Sequence, residues 1–229
     1  LVGSVDPNTL TYSDTNLTLA TNYTYRVDAF DGSANHSTLS TSRSATTQSL
    51  AAYTFNPVAD AYVAGDVAAT NYGISSILKA DASPDYHSYI RFNVGDLSGT
   101  VTSATLRLYT SSSSAIGYQV RRVNTQSWEE GSITFNNAPA VGTLIGSSGN
   151  FASGNWTSVD VSALITGSGV YDLAITTTSS STMNFNSRDA SVNRPELVIQ
   201  TSAGVSTPTA TPPLPPMLTA TRTPTATSV

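Results

Sequence analysis

Alternation of apolar and polar residues is the dominant pattern along this chain. Tyr23, Tyr25, Val27 and Ala29 fall on one side of a run whose other side carries Thr24, Arg26 and Asp28. Further on, Ile90, Phe92 and Val94 oppose Tyr89, Arg91 and Asn93, and Leu106 and Leu108 oppose Arg107 and Tyr109. The stretch Pro195-Glu-Leu-Val-Ile-Gln closes the patterned region. Successive side chains of a strand point to opposite faces, so runs of this kind predict half-buried strands. Clusters of Gly, Ser, Asn and Asp separate them and supply the turns of an antiparallel arrangement. No window sustains the 3.6-residue period of an amphipathic helix; a turn or two at Val159–Ile165 is the most expected. The pattern predicts an all-β protein, an antiparallel β-sandwich of the jelly-roll kind.

Composition divides the chain into three. Beyond Thr201 it is almost wholly Thr, Pro, Ala and Ser, and six of the eleven prolines lie there, which leaves little to bury and too few backbone donors for a sheet. Residues 202–229 are expected to be a Pro/Thr-rich extended linker. A small polar stretch from Ala45 to Ala52 marks a second boundary, so that 1–48 and 51–201 are read as separate units. The chain starts at Leu1 without methionine or signal segment and is expected to be an internal piece of a longer protein with other domains attached.

Charge and chemistry narrow the function. Ten basic residues against fifteen acidic ones, net charge -5, argue against a nucleic-acid partner, which selects for a basic face. No run approaches the length of a membrane-spanning helix, so no membrane insertion is expected. With no cysteine there are no disulfides and no thiolate metal sites. Catalysis is not expected. The two histidines, His36 and His87, stand in no catalytic motif, and a lone lysine supplies no phosphate-binding loop. Glu129 and Glu130 are adjacent and on a strand would face opposite ways, unlike an acid/base pair flanking one bond.

The first segment resembles the second half of a fibronectin type III domain. Leu17-Thr-Leu-Ala-Thr-Asn leads into Tyr23-Thr-Tyr-Arg-Val-Asp-Ala, with Tyr23 in the place of that family's corner tyrosine. The opening strands of such a domain are missing, so one inner face of this piece would lack its partner sheet.

From Tyr53 to Thr201 an ordered series of markers appears. It runs Ala59-Asp-Ala-Tyr-Val, Asn71-Tyr-Gly, Leu78-Lys, Tyr89-Ile-Arg-Phe and Val101-Thr-Ser-Ala-Thr-Leu-Arg-Leu-Tyr. Trp128-Glu-Glu-Gly-Ser-Ile-Thr-Phe-Asn-Asn-Ala-Pro follows, then Asn155-Trp, Ser187-Arg-Asp and Pro195-Glu-Leu-Val. In this order they resemble carbohydrate-binding module family 96, also called the DNRLRE domain. Phe135 and Asp189 depart from it, standing where tryptophan and glutamate are common. The resemblance implies a non-catalytic module that binds polysaccharide, acidic glycans such as alginate foremost, in a secreted or cell-surface multidomain protein.

Basic residues on an exposed sheet face would make such a contact. The candidates are Lys79, Arg91, Arg122 and Arg188, with Tyr89 beside them. Arg121 and Arg122 point opposite ways, so only one can join a given face; parity does not decide which, and Arg122 is carried in the candidate set. A guanidinium grips a carboxylate through two parallel charge-assisted bonds, whereas lysine acts as a point charge. The segment nonetheless holds seven basic against eleven acidic residues and would repel a polyanion at long range. Neutral glycans would instead stack on tyrosines, with Tyr62, Tyr72, Tyr86, Tyr89 and Tyr118 as candidates. Trp128 and Trp156 are expected in the core because an indole buries so much area. No cofactor is certain; a structural calcium at Asp60 is the one metal expectation, as in related jelly rolls. The alternative reading is a structural or adhesive module of a surface protein or filament.

Overall fold

The computed structural model describes residues 2–202; the linker expected at 202–229 lies outside them apart from its first residue. The described residues hold strands and a single 3-10 turn at Gly65–Val67. The one stretch expected to lean towards helix closes as a turn, with Leu164 and Ile165 both donating to the Val161 carbonyl.

Near the N-terminus β1 (Asn22–Tyr25) pairs with β2 (Arg43–Thr46) in an antiparallel two-stranded sheet. The Tyr23 hydroxyl accepts a hydrogen bond from the Thr18 amide at 3.0 Å and ties the preceding turn to β1. Leu10, Val27, Phe30 and Leu39 stand exposed around this sheet.

The larger unit is an antiparallel β-sandwich. Its smaller sheet runs β10 (Trp156–Asp160), β7 (Thr100–Tyr109), β13 (Glu196–Ser202), β3 (Leu50–Phe55). The larger is ordered β12 (Met183–Asn186), β5 (Ile77–Ala82), β6 (Asp85–Val94), β11 (Gly169–Thr176), β8 (Gln119–Val123), β9 (Val141–Ser147), and β4 (Ala59–Ala64) joins it through β6. Every pairing is antiparallel, so hairpins and cross-connections suffice and no crossover helix is needed.

Alternation dictates what fills the space between the sheets. Ile90, Phe92 and Val94 of β6 share one core with Leu106 and Leu108 of β7 and with Leu173, Ile175, Leu197 and Ile199. Burying each such side chain contributes about 1.5–3 kcal/mol relative to exposing it.

A second core forms on the far face of the larger sheet. There Ala61, Val63, Tyr89 and Ala174 are covered by Trp128 and Ile133 of the long connection from β8 to β9, with Phe135 and Ala138 packed against them. This connection roofs a face that alternation alone marks as solvent-facing.

Candidate functional site

Of the five candidate contact residues, four are engaged by the fold itself. Tyr89 has a relative exposure of 1% and donates its hydroxyl proton to the Pro139 carbonyl, 2.8 Å away. It holds the roof down and offers no surface to a ligand. Arg91, expected on an open face, has a side chain only 13% exposed. Its Nε donates to Asp172 Oδ1 at 2.8 Å and its Nη2 to the carbonyls of Gln126 and Trp128. The guanidinium also lies 4.6 Å from the centre of the Trp128 ring, whose Nε1 donates to the same Asp172 oxygen.

Arg188 is held elsewhere, its Nε donating to Glu130 Oε1 at 2.6 Å. That bond, the first cause, holds the guanidinium even more firmly protonated than usual. Lys79 has its ammonium 5.1 Å from the Tyr62 ring centre and 5.4 Å from that of Tyr86. Tyr62 in turn stacks on Tyr72 at 4.1 Å, and burial pushes its hydroxyl up to about 12. The expected single row of cations is therefore not formed, because each of these three charges meets a partner of its own. Tyr62 and Tyr118 are buried and drop out as stacking platforms, whereas Tyr72 and Tyr86 remain half-buried.

Arg122 is different. It is exposed, and among the described residues its side chain forms no ion pair and no hydrogen bond. Its neighbour Arg121 bends back onto Gln119 Oε1 and the Gly142 carbonyl. Arg121 pairs with Ala174 on the face of Tyr89, whereas Arg122 pairs with core residue Leu173 and so does not share the face of Arg91. Arg122 lines a cleft of about 310 Å³ with Asn124, Thr125, Gln126, Tyr171 and Asp172. The Arg91 bond to the Gln126 carbonyl and the Gln126 bond to the Val170 carbonyl fix one wall of this cleft. At its back, burial raises Asp172 from the ordinary carboxylate range against the pull of Arg91 and Trp128, and Oδ2 has no hydrogen-bond partner. Sequence reading missed Asn124, Thr125 and Gln126, which sit in no alternating run. Their density of hydrogen-bonding groups beside two arginines was the only signal.

A cluster of acids lies at the other end of the roof. Carboxylate oxygens of Asp60, Glu130 and Asp189 come within 4.8 Å of one another. Asp60 is 1% exposed, accepts from the Arg188 amide through Oδ2 and leaves Oδ1 without a partner. Burial pushes it up to about 7. These three carboxylates are the residues that could hold a hard cation, which would need further oxygen ligands to reach its usual six to eight. One Glu130 oxygen is already shared with Arg188.

The two tryptophans part company. Trp128 is buried as expected, at 4% exposure. Trp156 is not a core residue; it stands half-buried on the outer face of the smaller sheet. Its parity with Ser158 and Asp160, opposite to core residue Val159, puts it there.

A family model, carbohydrate-binding module family 96, matches residues 51–201. The chain belongs to that family. No curated protein matches the chain. Family 96 membership makes residues 51–201 a carbohydrate-binding unit, and the marker residues acquire structural roles within it. Asn71 donates to the carbonyls of Glu130 and Ile133, anchoring the roof. A Cβ on Gly73 would come within 2.1 Å of the Glu130 carbonyl oxygen, so only glycine permits that approach.

Proposed function

We propose that this family 96 module is a non-catalytic polysaccharide-binding unit that prefers acidic glycans such as alginate and contacts them at the Arg122 cleft. Its setting is a secreted or cell-surface multidomain chain, where it holds attached domains near their polysaccharide. The observation that carries this reading is an exposed guanidinium that forms no ion pair among the described residues and lines a cleft with Asn124, Thr125, Gln126 and the buried Asp172, whose carboxylate is held by Arg91. A uronate carboxylate can take both arms of such a fork, while Asn124, Thr125 and Gln126 exchange hydrogen bonds with sugar hydroxyls. Calcium at Asp60, Glu130 and Asp189 would pin the roof that forms the cleft wall, because Glu130 lies two residues beyond Trp128.

Affinity gel electrophoresis tests the reading. The intact chain should be retarded by alginate in the gel, and Arg122→Ala should run nearly as in plain gel. Equal retardation of both proteins would remove Arg122 from the site.

A further inference from the structure

Among the described residues nothing covers the outer face of the smaller sheet: from β7, β10 and β13 it presents half-buried or exposed side chains and none that is buried. Three of them form a group. Trp156 and Tyr109 are cross-strand partners whose rings meet edge to face at 5.6 Å. The Arg107 guanidinium lies 4.6 Å from the centre of the Trp156 ring. Its charge is spent internally, since Nη1 donates to Glu196 Oε2 at 2.6 Å.

The indole is thus held in one orientation from two sides while part of it stays in solvent. Fixed rings of this kind present contact area at little further entropic cost on binding, because the side chain has already been ordered by the fold. Electrostatics select what can lie on it. Arg107 and Glu196 cancel, and the nearby exposed Asp160 leaves the strip slightly negative. A polyanion is repelled there, whereas an uncharged chain with apolar C–H faces and hydroxyls is not.

We propose that Trp156, with Tyr109 and Arg107, forms a second glycan contact that takes neutral pyranose residues, one ring face stacking on the indole and hydroxyls reaching Glu196 and Ser158. This rests on the carbohydrate-binding reading of the module but uses a different sheet and the opposite charge logic from the Arg122 cleft. A chain with both contacts bridges two polysaccharides, or two kinds of segment in one mixed matrix, and gains avidity where both are present.

Two measurements on the intact chain decide it. Trp128 is already shielded by burial, so acrylamide quenching of tryptophan emission reports mainly on Trp156. Hydroxyethyl cellulose, a soluble neutral glucan, should lower the quenching constant about twofold or more, and it should do so in Arg122→Ala as well. In affinity gels Trp156→Ala and Ser158→Glu, at an exposed position whose cross-strand partner is Arg107, should each lose retardation by the glucan and keep it by alginate. If the glucan leaves quenching unchanged, or if Ser158→Glu is retarded as strongly as the parent, the proposal is overturned. Shielding that grows with protein concentration in the absence of glucan also overturns it, since a second copy then covers the face. Loss of alginate retardation in Arg122→Ala tests the cleft alone, so the two readings fail separately.

Discussion

Trp128 and Arg91 donate to one oxygen: Nε1 of the indole and Nε of the guanidinium both end on Asp172 Oδ1, at 2.7 and 2.8 Å. Arg91 and Asp172 are direct cross-strand partners on β6 and β11, whereas Trp128 arrives from the long connection after β8. The three-way contact is therefore one of the attachments of the roof to the sheet, beside those through Tyr89 and Asn71, and it fixes the position of Gln126 at the cleft.

Removing one member should be costly. Arg91→Ala leaves the Asp172 carboxylate buried without its counter-charge, and loss of one partner from such a pair typically costs about 3–5 kcal/mol. Urea denaturation should show that loss, and tryptophan emission should shift to the red as Trp128 becomes wetted. A variant within about 1 kcal/mol of the parent would mean the ion pair is not the clasp; surface pairs behave that way.

Salt dependence distinguishes the charge at Arg122 from the overall charge of the module. Charge-assisted bonds contribute about 1.5–3 kcal/mol, so Arg122→Ala should weaken alginate binding about tenfold or more. Raising salt should weaken the parent protein's binding, because the guanidinium–carboxylate attraction is screened. In Arg122→Ala only the long-range repulsion remains to be screened, and affinity should stay level or rise. Parallel slopes for both proteins in titration calorimetry would refute the role.

His87 predicts a pH effect. Burial holds its imidazole below the usual value of 6.5, and Arg121 adds to this against the pull of Asp85. A folded value lower than the unfolded one means the unfolded chain binds the extra proton first, so His87's contribution to stability falls as pH drops through and below about 6.5. It is opposed by Asp60, whose raised value of about 7 favours the folded chain as pH falls. The measure is the difference in denaturation midpoint between pH 7.5 and pH 5, which should be smaller in His87→Gln than in the parent. An unchanged difference would clear His87 of any part in it.

For the acidic cluster the expected outcome is a calcium-dependent melting temperature. Calcium in excess over chelator should raise Tm, since a ligand that binds only the folded state stabilises it by about 2.7 kcal/mol at a hundredfold excess over Kd. Asp60→Asn should abolish the rise while its own Tm in chelator stays close to the parent's. A calcium response that survives this substitution places the ion elsewhere.

The alternation of side chains was enough to establish an all-β sandwich and to name much of its core. Parity alone puts Ile90, Phe92, Leu106 and Leu108 on the apolar side of their strands, and all four are fully buried. Parity is a local property, fixed by the geometry of one strand, and it survives whatever the rest of the chain does. It also placed Arg91 and Tyr89 on the face away from that core, where they are. What it could not carry is whether a remote segment lies over that face. Residues 124–140 do, and they turn an expected binding row into a second core and a buried ion pair. Trp156 shows the converse, an indole kept out of the core because its parity in β10 opposes that of Val159. Which cations end beside an acid and which end beside open space depends on contacts between residues far apart in sequence, such as Arg91 with Asp172 and Arg188 with Glu130. Only the folded chain brings those together, and by doing so it leaves Arg122 facing solvent.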